Sequence, residues 1–123
     1  MRNRLGLWGS ALGMTLLATL SASADAQPPS ETVADVQCLV VGAQLAASPD
    51  QQQKLVGSMM AIYFLGRIDG RSPAVELQEL LKQEATKLTG SELGRAARRC
   101  GAQLSARGAE ITRIGRTLEQ LGK

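Results

Sequence analysis

Between residues 33 and 121 apolar side chains recur three and four positions apart, the spacing of helices with one buried face. Turn and capping residues divide that span into four stretches. The first places Val33, Val36, Val40 and Ala43 on one face, widened by Cys38, Leu39, Val41 and Leu45. Ser30 or Thr32 would cap it, with Asp35 three positions past Thr32 in the capping-box pattern. The second opens at Ser48 and Pro49, a cap followed by a proline suited to the first helical turn, with Gln51 completing the box. From residue 55 to 65 it is apolar nearly all round, which predicts a central helix buried on several sides. It should end near Ile68, where Asp69 and Gly70 signal a turn. The third repeats the device with Ser72 and Pro73, carries Leu77, Leu80, Leu81, Glu84 and Leu88 at helical spacing, and stops at Thr89 and Gly90.

The fourth stretch runs from a capping box of Thr89 and Glu92 to Leu121. At 100° per residue, Leu93, Ala97, Cys100, Leu104, Ile111, Ile114 and Leu118 gather within about one third of the circle. Arg95, Arg98, Arg99, Arg113 and Arg116 fall opposite. Arg107 is the misfit, aimed at the apolar stripe unless its stem snorkels outward or the helix bends at Gly101 or Gly108. Glycine returns every seven residues, at Gly94, Gly101, Gly108, Gly115 and Gly122. Each interior glycine costs a helix about 1 kcal/mol relative to alanine, so the row is expected to be a packing surface, within the chain or between chains. Small residues allow such close helix approach.

The N-terminus changes the picture of where this bundle resides. Arg2 and Arg4 precede an apolar stretch over residues 5–20, and Ala24, Asp25 and Ala26 supply a small-x-small cleavage site. That is the form of a secretory signal peptide, and the stretch is short against the roughly 20 residues a membrane span needs. The expected organisation is a signal peptide over 1–26, a flexible tail over 27–32 and one helical domain over 33–123. The expected address is the periplasm or the exterior, with no stable membrane insertion after cleavage. Cys38 and Cys100 are the only cysteines. An even count in an oxidising compartment implies a disulfide, the alternatives being a bond between chains or two free thiols. Closing a loop of about 63 residues would contribute around 4 kcal/mol. The fold class expected is therefore all-α, a small four-helix bundle with one disulfide.

Composition narrows function mainly by exclusion. Without Arg2, Arg4 and Asp25, the 14 basic and 11 acidic residues become 12 and 10, a net charge of +2. That is too weak a bias for a dedicated nucleic-acid binder. After the leader, Tyr63 and Phe64 are the only aromatics, which suits an aliphatic helical core better than a sheet. The chain has no histidine, which removes imidazole catalysis, a Ser-His-Asp triad and histidine metal sites. Two bridged cysteines make no zinc site, and no phosphate-binding or dinucleotide glycine motif occurs. Glu76 and Glu79 share a helix surface, but their place in an early turn has its own helix-dipole reason. No enzyme activity, cofactor or metal is expected.

Contacts with a partner have two candidate locations. Arg67 and Arg71 bracket Asp69 where the second helix should turn, so Asp69 could accept from either arginine or from the turn backbone. The arginine face of the fourth helix, Arg95, Arg98, Arg99, Arg113 and Arg116, would steer an acidic partner. The partners expected are a dedicated protein or unfolded clients. A leader, a cysteine on the first helix, an apolar helix ending in Gly66 to Gly70, and a second cysteine on the last helix together resemble the small periplasmic HdeA-type family. That resemblance implies a helical protein with Cys38 and Cys100 joined, and a non-catalytic binding or chaperone-like role in acid stress. The other role compatible with these residues is a subunit of an envelope complex or an immunity- or inhibitor-type protein.

Overall fold

The computed structural model describes residues 27–123; the expected signal peptide lies outside the described residues. Four helices account for nearly all of them: α1 (Ser30–Ala46), α2 (Gln51–Arg71), α3 (Leu77–Lys87) and α4 (Gly90–Leu121). There is no strand among the described residues. Cys38 on α1 and Cys100 on α4 are joined, with Cα atoms 5.4 Å apart, and neither thiol is free. The all-helical, disulfide-stapled bundle expected from periodicity and cysteine parity is therefore present.

The hub is α1, not α2. Val36, Cys38, Leu39, Val40 and Val41 are all buried, and α2, α3 and α4 each pack on α1. A helix touched on three sides must be apolar around much of its circumference, and its run of valines and leucines meets that requirement. On α2 only Gly57, Met60, Phe64 and Ile68 are buried, a single stripe against α1. Leu55, Val56, Met59, Ile62 and Leu65 face outward. The expectation of a centrally buried second helix is corrected: its all-round apolar character covers one core face and one bare face.

The α1 and α2 helices form an antiparallel hairpin through a short link at residues 47–50. Its open end is tied by a hydrogen bond of 2.7 Å between the Thr32 and Ser72 hydroxyls. Near the link the backbones almost touch. A Cβ added to Gly42 would lie 2.8 Å from the Ala61 amide nitrogen, and one on Gly57 would lie 2.6 Å from Leu45 Cβ and closer still to the Ala46 nitrogen. These two glycines set the hairpin's separation.

Several helix ends differ from the expected ones. The α1 helix begins at Ser30 after Pro29, with no side-chain cap, and Thr32 is buried instead. At α2 the cap is Asp50, whose carboxylate accepts from the Gln53 amide at 2.8 Å. Ser48 is not the cap; its hydroxyl donates to the Gln53 side chain. Asp69 and Gly70 do not form a turn, because α2 continues through them to Arg71. Ser72 and Pro73 lie in a loop, and α3 starts only at Leu77. Thr89 flanks α4 without a side-chain bond, while Glu92 pairs with Arg95 instead of closing a box. Gly90, at φ +52°, makes the sharp entry into α4 that a residue without Cβ tolerates.

Candidate functional site

Two arginines on α2, four residues apart and so on one face, converge on an acid from α1. Asp35 Oδ2 accepts from Arg67 Nε at 3.0 Å and from Arg71 Nη1 at 2.7 Å. Only 2% of Asp35 is exposed, so this charge sits in the core and depends on its two guanidinium partners. Glu31, one turn earlier, adds an exposed contact to Arg71 at 3.4 Å. Asp69, the acceptor expected from the sequence, is exposed on the far side of the same helix and bonds neither arginine. Asp35 takes that role. Its signal was present: an acid one turn from Leu39 on the buried face of α1, opposite a helix with arginines at i and i+4.

From this anchor Arg67 reaches outward. Its Nη1 donates to the Tyr63 hydroxyl at 3.2 Å and to Gln103 of α4 at 3.4 Å. The guanidinium also lies 5.7 Å from the Tyr63 ring centroid and 5.8 Å from that of Phe64, within cation–π range. Arg107 of α4 donates to the same tyrosine hydroxyl at 3.2 Å and pairs with Glu110. Desolvation pushes the Tyr63 phenol up, but the hydrogen bonds and charges of Arg67 and Arg107 outweigh it and leave its pKa below the ordinary value. Arg107 thus settles the question of the misfit. The α4 helix is continuous, and the arginine leans off the apolar stripe toward α2.

Beyond Tyr63 the two helices diverge around a cleft of about 620 Å³. Arg67, Arg107, Arg113 and Arg116 line it against one acid, Glu110. Glu110 is 4.0 Å from Arg113. Such an arrangement attracts carboxylate or phosphate groups, which guanidinium forks match in geometry. Of the sequence-predicted arginines, the structure brings Arg67, Arg113 and Arg116 together here, with Arg71 beside Arg67. Arg95, Arg98 and Arg99 lie elsewhere on α4. Arg95 pairs with Glu92, and Arg99 donates to Gln37 Oε1 at 2.9 Å.

That last bond belongs to a second polar chain beside the disulfide. Gln37 of α1 donates to Glu84 Oε2 at 2.8 Å, and Lys87 donates to Glu84 Oε1 at 2.7 Å. Burial pushes the Glu84 carboxyl up, but Lys87 and Gln37 together hold it below its usual value. A lowered pKa contributes stability that is present above the ordinary carboxylate range and is lost as pH falls through the folded value. This chain ties α3 and α4 to α1 at the level of the Cys38–Cys100 bond.

The heptad glycines have no such partners within the chain. A Cβ at Gly101, Gly108 or Gly115 would meet nothing within 4 Å, and one at Gly94 only its own helix's Arg98. The expected packing row is therefore not used inside the chain. Among the described residues no group of three or more metal-ligating side chains occurs, and no helix is long and apolar enough to cross a membrane. No family model, curated protein or solved structure matches the chain. What its residues define is an all-helical, disulfide-stapled bundle with a charged cleft and two bare apolar helix faces.

Proposed function

We propose that the protein is a non-catalytic binding protein of an extracytoplasmic compartment, chaperone-like, which holds apolar segments of other proteins on the outer face of α2. One observation carries this reading: Leu55, Val56, Met59, Ile62 and Leu65 form an exposed aliphatic surface along one helix, with Ile62 73% exposed. Contiguous apolar patches on a soluble chain mark interaction surfaces, and methionine adapts its shape to varied partners. The disulfide supports an oxidising compartment, and the absence of histidine from the sequence supports a role without acid–base catalysis. The HdeA-type layout supports stress protection. When the ten carboxylates of residues 27–123 neutralise in acid, the chain reaches about +12, a charge that keeps a complex with an unfolding client dispersed.

The test is light scattering of an aggregating client at neutral and acid pH. Suppression by the native chain, weakened by Leu55→Lys with Ile62→Lys, is the expected result. No suppression at either pH removes this reading. The arginine cleft favours a second one, a dedicated acidic partner such as an envelope-complex subunit or the target of an immunity- or inhibitor-type protein. That version predicts one stoichiometric partner recovered from the envelope, released by salt and lost in Arg113→Glu with Arg116→Glu.

A further inference from the structure

The last seventeen residues of α4 overhang the domain. Residues 105–121 contain no buried residue, although the apolar stripe that packs Leu93, Ala97, Cys100 and Leu104 against the core continues straight along them. The stripe is a strict heptad. Leu104, Ile111 and Leu118 are seven apart at one seam position, and Arg107, Ile114 and Leu121 occupy the other, three residues on. Gly101, Gly108, Gly115 and Gly122 then all fall on the flank beside the first position, facing away from the cleft. In the single chain Ile111, Ile114, Leu118 and Leu121 are 69%, 51%, 61% and 77% exposed.

We infer that a second copy of this chain covers this seam, the two α4 overhangs pairing antiparallel about a two-fold axis between Thr112 and Arg113. The sequence is self-complementary in that register. Ile111 meets the partner's Ile114, Leu104 meets the partner's Leu121, and each relation repeats across the axis as a two-fold contact requires. On the flank Gly108 then lies beside the partner's Gly115, and Gly101 beside the partner's Gly122, each pair staggered by about 3 Å along the axis. A glycine beside a glycine along one flank lets two backbones close in, which is the use for the glycine row that the single chain lacks. Arg107 opposite Leu118 would spoil the seam if it pointed inward, but Tyr63 and Glu110 already draw its guanidinium aside. The paired segment, residues 104–121, is about 27 Å long at 1.5 Å per residue. Covering four half-bare aliphatic side chains on each copy removes roughly 1,000 Å² of apolar surface, the threshold of a specific interface.

This inference does not rest on the binding role proposed for α2, and its test separates them. Sedimentation of the disulfide-bonded chain should give a dimer. Ile111→Glu with Ile114→Glu should raise the dissociation constant about a hundredfold or more while leaving helix content and client suppression in place. Ile62→Glu on α2 should leave the dimer intact. Under oxidation, Ile111→Cys mixed with Ile114→Cys should cross-link between chains, whereas Leu118→Cys alone should not. A chain that stays monomeric, a dimer indifferent to both glutamates, or a Leu118→Cys product that forms in preference would each overturn the pairing. A monomer recovered with a helix of another protein on the overhang would overturn it too.

Discussion

Two sets of glycines lie in this bundle, and they behave in opposite ways. Gly42 and Gly57 have no conspicuous spacing, yet an added methyl at either would strike backbone of the neighbouring helix. Gly101, Gly108 and Gly115 keep a strict seven-residue interval, yet an added methyl at any of them meets open space. Inside a small domain a close helix approach happens once, where two axes cross, so it needs one glycine from each side and leaves no repeat. A repeat arises only where two helices run alongside each other over several turns. The regular row on α4 is therefore a sign of a long contact surface, and the α1–α2 crossing is where the fold itself depends on absent side chains.

The sharpest way to break that contrast is to fill one glycine from each set. Gly57→Ala forces the α1–α2 backbones apart at the Leu45 and Ala46 contact. It should cost about 3 kcal/mol, the upper range for overpacking a rigid site, measured by urea unfolding. A neutral outcome would mean that the hairpin slides freely and that the crossing is not fixed there. Next comes the other end of the same hairpin. Asp35→Asn removes the charge shared by Arg67 and Arg71 and should cost about 2 kcal/mol, given that both arginines keep partial access to water. Asp69→Asn, its sequence neighbour to those arginines, should change unfolding by less than about 0.5 kcal/mol. Equal effects would return the anchoring role to Asp69. A smaller effect of opposite sign belongs to the regular set: at low protein concentration Gly108→Ala should stabilise the helix by up to about 1 kcal/mol.

The sequence made some parts of this structure legible and hid others for a physical reason. Helix number, the extent of α4 and the Cys38–Cys100 bond follow from periodicity and pairing, which are properties of the chain alone. The hub did not. The α1 and α2 helices are both apolar nearly all round, and hydrophobicity cannot tell a helix buried by three neighbours from one with a bare face awaiting something else. Helix ends were misplaced where serine-proline pairs promised caps, because other bonds claimed the serines: Ser72 bonds Thr32 across the hairpin, and Ser48 bonds the Gln53 side chain while Asp50, two residues on, takes the cap. The cleft was half legible. Arg67, Arg113 and Arg116 stood out as charges, but Tyr63 as their junction required knowing that α2 and α4 run antiparallel past each other.

Tyr63 is also where the anchored hairpin meets the overhanging helix, so it reports whether the overhang holds its position. It is the only tyrosine in the sequence, and its ultraviolet titration is free of other phenols. With Arg67 and Arg107 both donating to its oxygen, the midpoint should lie below the ordinary value near 10. A phenol whose folded pKa is lowered contributes stability that is fully present above the unfolded value and is lost as pH falls through the folded one. Unfolding free energy should therefore rise slightly as pH climbs through the alkaline midpoint. Arg107→Ala removes one donor, and the midpoint should move back up toward the ordinary value with little change in stability at neutral pH, since Arg107 is exposed. A midpoint unmoved by that substitution would mean that α4 swings clear of α2 in solution, leaving Arg67 as the sole cation on the hydroxyl and no cleft between the two helices.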